Sequence, residues 1–227
     1  MTSGQPYHHG NLRPVLVDTA VELARSTGPD GVVLREVARR AGVSHNAAYR
    51  HFSDRAALLA EVSDRAYADL ERAMLDRIAT VTEDDPRERG FARLRETGRA
   101  YVDYAIREPG LFTTAFTAPE ATEVVPDPDS ATKEMTGPYL VLNQVLDELV
   151  ASGAVSPERR IGADVVCWSA VHGFSDLVVH GPLRVLPPDL RDAALEIVLD
   201  VVRRGLADEG YDAGREARQP SPSRSKT

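Results

Sequence analysis

Apolar residues recur along this chain three or four positions apart, and strict alternation of any useful length is missing. From Asn11 to Ser26, the residues Leu12, Leu16, Ala20 and Leu23 fall on one stripe, with Pro14 tolerated in the first turn. The run TGPDG at 27 to 31 closes that helix. Leu34, Val37, Ala38 and Ala41 then repeat at i, i+3, i+4 and i+7, a second and shorter helix, and Gly42 stands where a left-handed C-cap is needed. Ser44 is placed to cap a third helix running through Phe52, and Ser53 to cap a fourth. The fourth is long, with Leu59, Val62, Ala66, Leu70, Met74 and Ile78 on one side.

Beyond TEDDP at 82 to 86 the same periodicity predicts helices at about 86–107, just after Pro109, and at about 132–152, 157–181 and 188–209. TAPEATEVVPDPDS at 117 to 130 reads as the one convincing internal loop. From Tyr211 onward the chain loses its apolar period and reads as a disordered tail, 211–227. The fold class is all-α. The expected division is an N-terminal unit at 1–66, holding the start of a connecting helix, and a larger helical unit at 67–210.

Composition narrows this only a little. The chain has 227 residues, 42% of them hydrophobic, which is enough for one large core or two smaller ones. A single cysteine, Cys167, excludes a disulfide framework and fits a reducing cytoplasm. The N-terminus lacks an apolar signal region and no run is long enough to span a bilayer, so neither secretion nor membrane insertion is expected. Charge is more informative. The net charge of -8 is unevenly spread: residues 1–66 balance at +1, with 8 Arg against 7 acids, while 67–227 carry -9. Arg35 to Arg55 holds five Arg against Glu36 and Asp54, with His45 and His51 alongside. A small basic patch on an acidic body can still dock on phosphates.

REVARRA and HNAAYRHF, two short helices joined by a tight Gly turn, form a helix-turn-helix unit. Its second helix lies in a DNA major groove with its N-terminal residues at the base edges. Ser44, His45 and Asn46 can then bond base edges or phosphates, while Ala47 and Ala48 let the helix approach closely. Tyr49 and His51 reach the backbone, and Arg55 meets a phosphate at the dipole of the fourth helix. Arg35 has the bidentate fork suited to guanine. The plainer alternative is a three-helix subdomain with no DNA role. In that case Tyr49 and Phe52 are core, and Arg39 and Arg40 are solvated; Phe52 reads as core either way.

LREVARRAGVSHNAAYRHFSDRAALLAEV closely resembles the DNA-binding domain of the TetR family of bacterial one-component regulators. The shared pattern is Ala41 to Ser44, then Tyr49, His51 and Phe52, then Leu58 and Leu59; YHHGNLR at 7 to 13 also resembles the start of many members. Departures fall at Asn46 (often small or Gly), Ala48 (often Leu), Arg55 (usually Lys) and Val33 (often a polar cap). The resemblance implies a homodimer on a palindromic double-stranded DNA operator, released by a small-molecule effector acting through the fourth helix, with repression the implied sign.

It also implies that the second half binds the effector and dimerises. Ala163, Val166, Cys167, Ala170 and Phe174 form one stripe, and Leu195, Val198, Leu199, Val202 and Leu206 another, so two helices per subunit can build a four-helix interface; the alternative is that both stripes face their own core. CWSAVHGFSDL at 167 to 177 resembles the Trp-x-x-x-His-Gly segment of one subgroup. Trp168 and His172 share a helix face. Either they line the ligand cavity, or His172 is satisfied in the core and Gly173 permits close packing. Tyr101, Tyr104, Phe112, Phe116, Tyr139 and Asn143 are further candidates for the wall of that cavity.

Rival functions find less support. No phosphate-cradling Gly loop, nucleophile elbow or HExxH is present, so no catalytic residue, cofactor or metal is expected, and the pair His8 and His9 is a weak metal signal. The remaining rival is a helical protein-interaction or small-molecule-binding protein without DNA binding.

Overall fold

The computed structural model describes residues 12–117 and 137–207, and these are helical with short connections. Helix α1 (Leu12–Thr27) is followed by α2 (Leu34–Arg40), α3 (His45–Tyr49) and the long α4 (Arg55–Ile78). Then come α5 (Pro86–Arg107), α6 (Pro109–Thr117), α7 (Pro138–Ala151), the single turn α8 (Pro157–Arg160), α9 (Ala163–Val179) and α10 (Pro188–Leu206). The all-α class is as expected. The loop at 117–130 falls, after Thr117, outside the described residues, as does the tail at 211–227.

Local chemistry explains most boundaries. The turn between α2 and α3 needs Gly42, whose φ of 69° is left-handed. Ser44 caps α3 by accepting from the Ala47 N–H at 3.2 Å. Two expectations are corrected here. Helix α3 ends at Tyr49, three residues before Phe52, and the cap of α4 is Asp54, not Ser53. Asp54 accepts from the Ala57 N–H at 2.8 Å, and Ser53 donates instead to the Asp54 carboxylate at 3.2 Å. A carboxylate is the better partner at a helix N-terminus, where its charge also meets the dipole. The helix expected at 157–181 is broken between α8 and α9 at Ile161–Gly162.

One continuous apolar core joins the first four helices to the rest. Leu16, Ala20, Val37, Phe52, Leu58 and Val62 pack within the first four helices, and Leu70, Tyr101, Leu111 and Phe112 continue the same cluster into α5 and α6. A second cluster holds Phe91, Leu146, Leu149, Cys167 and Leu206, tying α5 and α7 to α9 and the end of α10. The junction is tight where α6 meets α1. A Cβ on Gly110 would lie 2.0 Å from the Ala24 carbonyl oxygen, so only glycine fits there. The 24 residues of α4 span about 36 Å and pack against α1 as well as α5, α6 and α7.

The stripes expected to dimerise turn mostly inward. Ala163, Cys167, Phe174, Leu195, Leu199 and Leu206 are buried in their own chain, and only Val166 of the ten stands well exposed. The apolar surface left open on the same two helices is their opposite face: Val165, Val166 and Leu177 on α9, Leu190, Ile197 and Val201 on α10, each 43–65% exposed. A helix that is apolar on both sides has one side for its own core and one for a partner.

Candidate nucleic-acid interface and effector chamber

The polar face built by α2 and α3 is the first site. Arg35, Ser44, His45, Asn46 and Tyr49 are all exposed, and Ala48 and Phe52 beneath them are buried. The His45 and Tyr49 rings meet edge to face with centroids 4.5 Å apart, which stiffens the outer surface of α3. His51 is half-buried, and its carbonyl accepts from Arg13 at 2.7 Å. The Arg13 guanidinium lies 4.5 Å over the Phe52 ring and pairs with Glu61, so α1 is bolted to the turn after α3.

The arginines divide into engaged and available. Arg39 and Arg40 both grip Glu36, at 2.7 and 2.8 Å, and the hydrogen bonds from Arg39 first, then Arg40, hold that carboxyl down at about 2. Arg35 has no ion pair or hydrogen bond among the described residues. Arg50, just past α3, is likewise exposed and unpaired; the sequence reading overlooked it, although it lies one helical turn from Asn46. Arg55 is the exception among the expected phosphate ligands. Its Nε donates to the Val32 carbonyl at 2.9 Å and its NH2 to the Pro29 carbonyl at 2.6 Å, so it ties α4 to the loop before α2. That loop lacks a polar cap, since Val33 offers no side-chain bond to α2. Arg55 braces the same segment.

The second site is a cluster of rings drawn from five helices. His172 of α9 sits 4.7 Å from Phe116 and 5.5 Å from Phe112, ring to ring, and its Nδ1 is 2.8 Å from the Tyr101 hydroxyl. Trp168 lies one turn earlier, 6.2 Å from Phe116 and 5.3 Å from Tyr139. Tyr67 of α4, which the sequence reading also missed, stacks on Phe116 at 5.5 Å and donates to the Ala115 carbonyl at 3.1 Å. Its signal was the spacing of Leu59, Ser63 and Tyr67, a second edge to the stripe on α4. Burial pushes the Tyr67 hydroxyl up to about 12 and raises that of Tyr101 further, while burial lowers His172. Tyr67 and Tyr101 therefore keep their protons and His172 is a neutral imidazole near neutral pH.

Two expected members stand apart. Tyr104 is buried, with no hydrogen-bond partner for its hydroxyl among the described residues; burial raises it, and its charged neighbours are Asp69, Glu108, Arg25 and Arg107. Asn143 belongs to a polar knot, donating to the Tyr139 carbonyl at 2.9 Å and accepting from Arg160 at 2.6 Å. Burial pushes the Cys167 thiol up to about 12, the opposite of an activated nucleophile. His8 and His9 lie outside the described residues.

A helix-turn-helix head with an open polar face, fused to a helical body that encloses rings and leaves an apolar flank, defines a DNA-binding regulator of the ligand-responsive kind. Comparison with known proteins agrees. The family model for bacterial regulatory proteins of the tetR family matches residues 16–62, and the model for the Tetracyclin repressor-like C-terminal domain matches 94–202. The chain belongs to the TetR family, and it is a ligand-responsive DNA-binding transcriptional regulator, not an enzyme. An uncharacterised HTH-type transcriptional regulator of Bacillus subtilis (strain 168), YobS, is 28% identical over 171 residues, covering 74% of this chain and 80% of that one. A protein of unknown function from Rhodococcus sp. RHA1 matches with a TM-score of 0.68 and 29% identity over 91% of this chain and 100% of its own. A TetR variant from Acinetobacter baumannii AYE, solved with minocycline, shares the fold at a TM-score of 0.57 and 19% identity, over 85% of this chain and 94% of that one. Among the described residues, no helix is long and apolar enough to cross a membrane.

Proposed function

We propose that this chain acts in the cytoplasm as a homodimeric repressor, holding a palindromic operator until a small molecule enters the ring cluster. The division of labour follows the expected domains: residues 1–66 read DNA, and 67–210 bind effector and partner. In each protomer α3 lies in the major groove, with Ser44, His45 and Asn46 at base edges and Tyr49, His51 and Arg50 toward the phosphates. The single observation that carries this reading is the unpaired Arg35 guanidinium beside an open α3, while its neighbours Arg39 and Arg40 are locked onto Glu36. Two recognition helices about one DNA turn apart require a dimer. The open apolar flank of α9 and α10 is the surface for it. The segment Trp168, His172, Gly173 supports membership of the Trp-x-x-x-His-Gly subgroup, with Trp168 and His172 turned to the rings and Gly173 on the exposed side.

The test is an anisotropy titration of DNA selected from a genomic pool, run at two salt concentrations. Arg35→Ala is expected to weaken binding by about 1–3 kcal/mol, whereas Arg39→Ala changes it little. Equal losses from both substitutions, or a salt-independent affinity, would refute the assignment and favour a protein partner at this face.

A further inference from the structure

The ring cluster is unusual in its charge. Tyr67, Tyr101, Phe112, Phe116, Tyr139, Trp168 and His172 meet there, and among the described residues the ionic groups of α7 and α9 beside them are paired with one another. Asp164 accepts from the Tyr139 hydroxyl and lies 3.9 Å from the Arg160 guanidinium, while Asp64 of α4 acts on the Tyr67 side. Arg160 is in turn bonded to Asp147 at 2.8 Å and to Asn143 at 2.6 Å. Asp176, one turn beyond His172, is exposed and bonded to His180 at 2.9 Å. Among the described residues, guanidinium groups lie over the rings of Phe52 and Phe91 only, and neither ring belongs to this cluster.

The polar atoms that remain are equally telling. The Tyr101 hydroxyl lies 2.8 Å from His172 Nδ1 and also accepts from the Trp168 indole N–H. The bond to Nδ1 fixes the imidazole and leaves Nε2 as the one ring nitrogen without a partner among the described residues. Because Tyr101 keeps its proton and His172 is neutral, Nε2 offers one hydrogen bond and no charge. A charged ligand entering here would lose its hydration and find no unpaired counter-charge on α7 or α9 among the described residues, a penalty that geometry alone does not repay. A neutral aromatic ligand loses little and gains ring contacts on several sides.

We infer that the effector is an uncharged aromatic molecule bearing one hydroxyl or carbonyl group, which bonds to His172 Nε2 among the rings of Phe116, Trp168 and Tyr139. This rests on the reading of the ring cluster as the effector site. It adds the chemical class of the ligand and makes His172 the residue that selects for it.

Calorimetry with four bicyclic probes tests it on the full-length protein: 2-naphthol, naphthalene, 2-naphthoate and N-methylquinolinium. 2-Naphthol should bind at least about tenfold tighter than the anion or the cation. In His172→Phe, which keeps a ring but loses the nitrogen, 2-naphthol should weaken about tenfold while naphthalene changes less than twofold. His172→Gln should recover part of the difference, and thermal melting of each variant verifies that it is folded. Charged probes binding within threefold of 2-naphthol would overturn the inferred class while leaving the chamber as the effector site. Equal loss of 2-naphthol and naphthalene in His172→Phe would overturn the role of Nε2. No heat from any of the four would remove the chamber reading and the inference together.

Discussion

The polar head and the ring chamber are assembled in opposite ways. The head is local: Arg35 to Phe52 is one continuous stretch, and each of its parts is set by near neighbours such as Gly42, Ser44 and Glu36. The chamber is remote, since Tyr67, Tyr101, Phe116, Tyr139 and Trp168 come from five separate helices. The head keeps its hydrogen-bonding groups outward over a buried Phe52. The chamber turns its groups inward and satisfies them against each other. The head leaves the Arg35 guanidinium without a partner among the described residues, whereas Asp164 and Asp176 beside the rings are each paired.

The two sites meet through α6. Its outer face supplies Phe112 and Phe116 to the chamber, and Gly110 at its start sits against Ala24 of α1. Its last turns are held to α4 by two buried or half-buried bonds, Ser63 to the Thr114 carbonyl at 3.2 Å and Tyr67 to the Ala115 carbonyl at 3.1 Å. Any shift of the Phe116 ring is therefore felt by α4, the helix assigned the coupling role.

Substitutions can break this contrast by degrees. Phe52→Ala should have the largest effect, destabilising the chain by about 3–5 kcal/mol in thermal or denaturant unfolding, because the ring is fully buried beneath Arg13. If the chamber side still melted with wild-type cooperativity while the head alone was lost, the continuous core described above would be wrong. Ile197→Glu on the open flank should leave the protomer folded yet shift it from dimer to monomer in sedimentation; burying a lone carboxylate costs a dimer several kcal/mol, roughly 2–4. Arg55→Ala should cost about 1–2 kcal/mol of stability through its two carbonyl bonds. A phosphate role would instead appear as a smaller salt slope with unchanged stability. The smallest effect concerns pH. His172 has its folded value depressed below the ordinary 6.5 by burial, against the opposing pull of Asp176. Its contribution is present above that value and lost as pH falls below it, because the unfolded chain then binds the proton more readily. Melting temperature should drop between pH 7.5 and 5.5, and less so in His172→Phe.

The contrast also decides how much was legible beforehand. The head could be read almost completely, since a capping serine, a turn glycine and an i, i+3, i+4 stripe act within a few residues of themselves. It did not give the bonds of Arg55, whose partners Pro29 and Val32 are more than twenty positions away, nor the exposure of Arg50, which lies just beyond the helix proper. The chamber was read as a set of aromatic residues without its geometry. Six of the eight expected members meet, with Tyr101, Phe112, Phe116 and Tyr139 gathered around His172 and Trp168; Tyr104 faces other neighbours, and Asn143 joins only through its bond to the Tyr139 carbonyl. Periodicity gives the face of a helix only to within one side, and Tyr101 and Tyr104, three apart, diverge just enough to reach different neighbours.

The sequence by itself determined most of the helices, the all-α class, the helix-turn-helix and the family, because these depend on short-range spacing. The tertiary structure alone decided which side of α9 and α10 is core and which is free. Both sides are apolar, and a pattern cannot rank two apolar faces until a neighbouring helix covers one. It likewise decided which charges remain available, since an arginine is engaged or free only through partners that folding brings within reach.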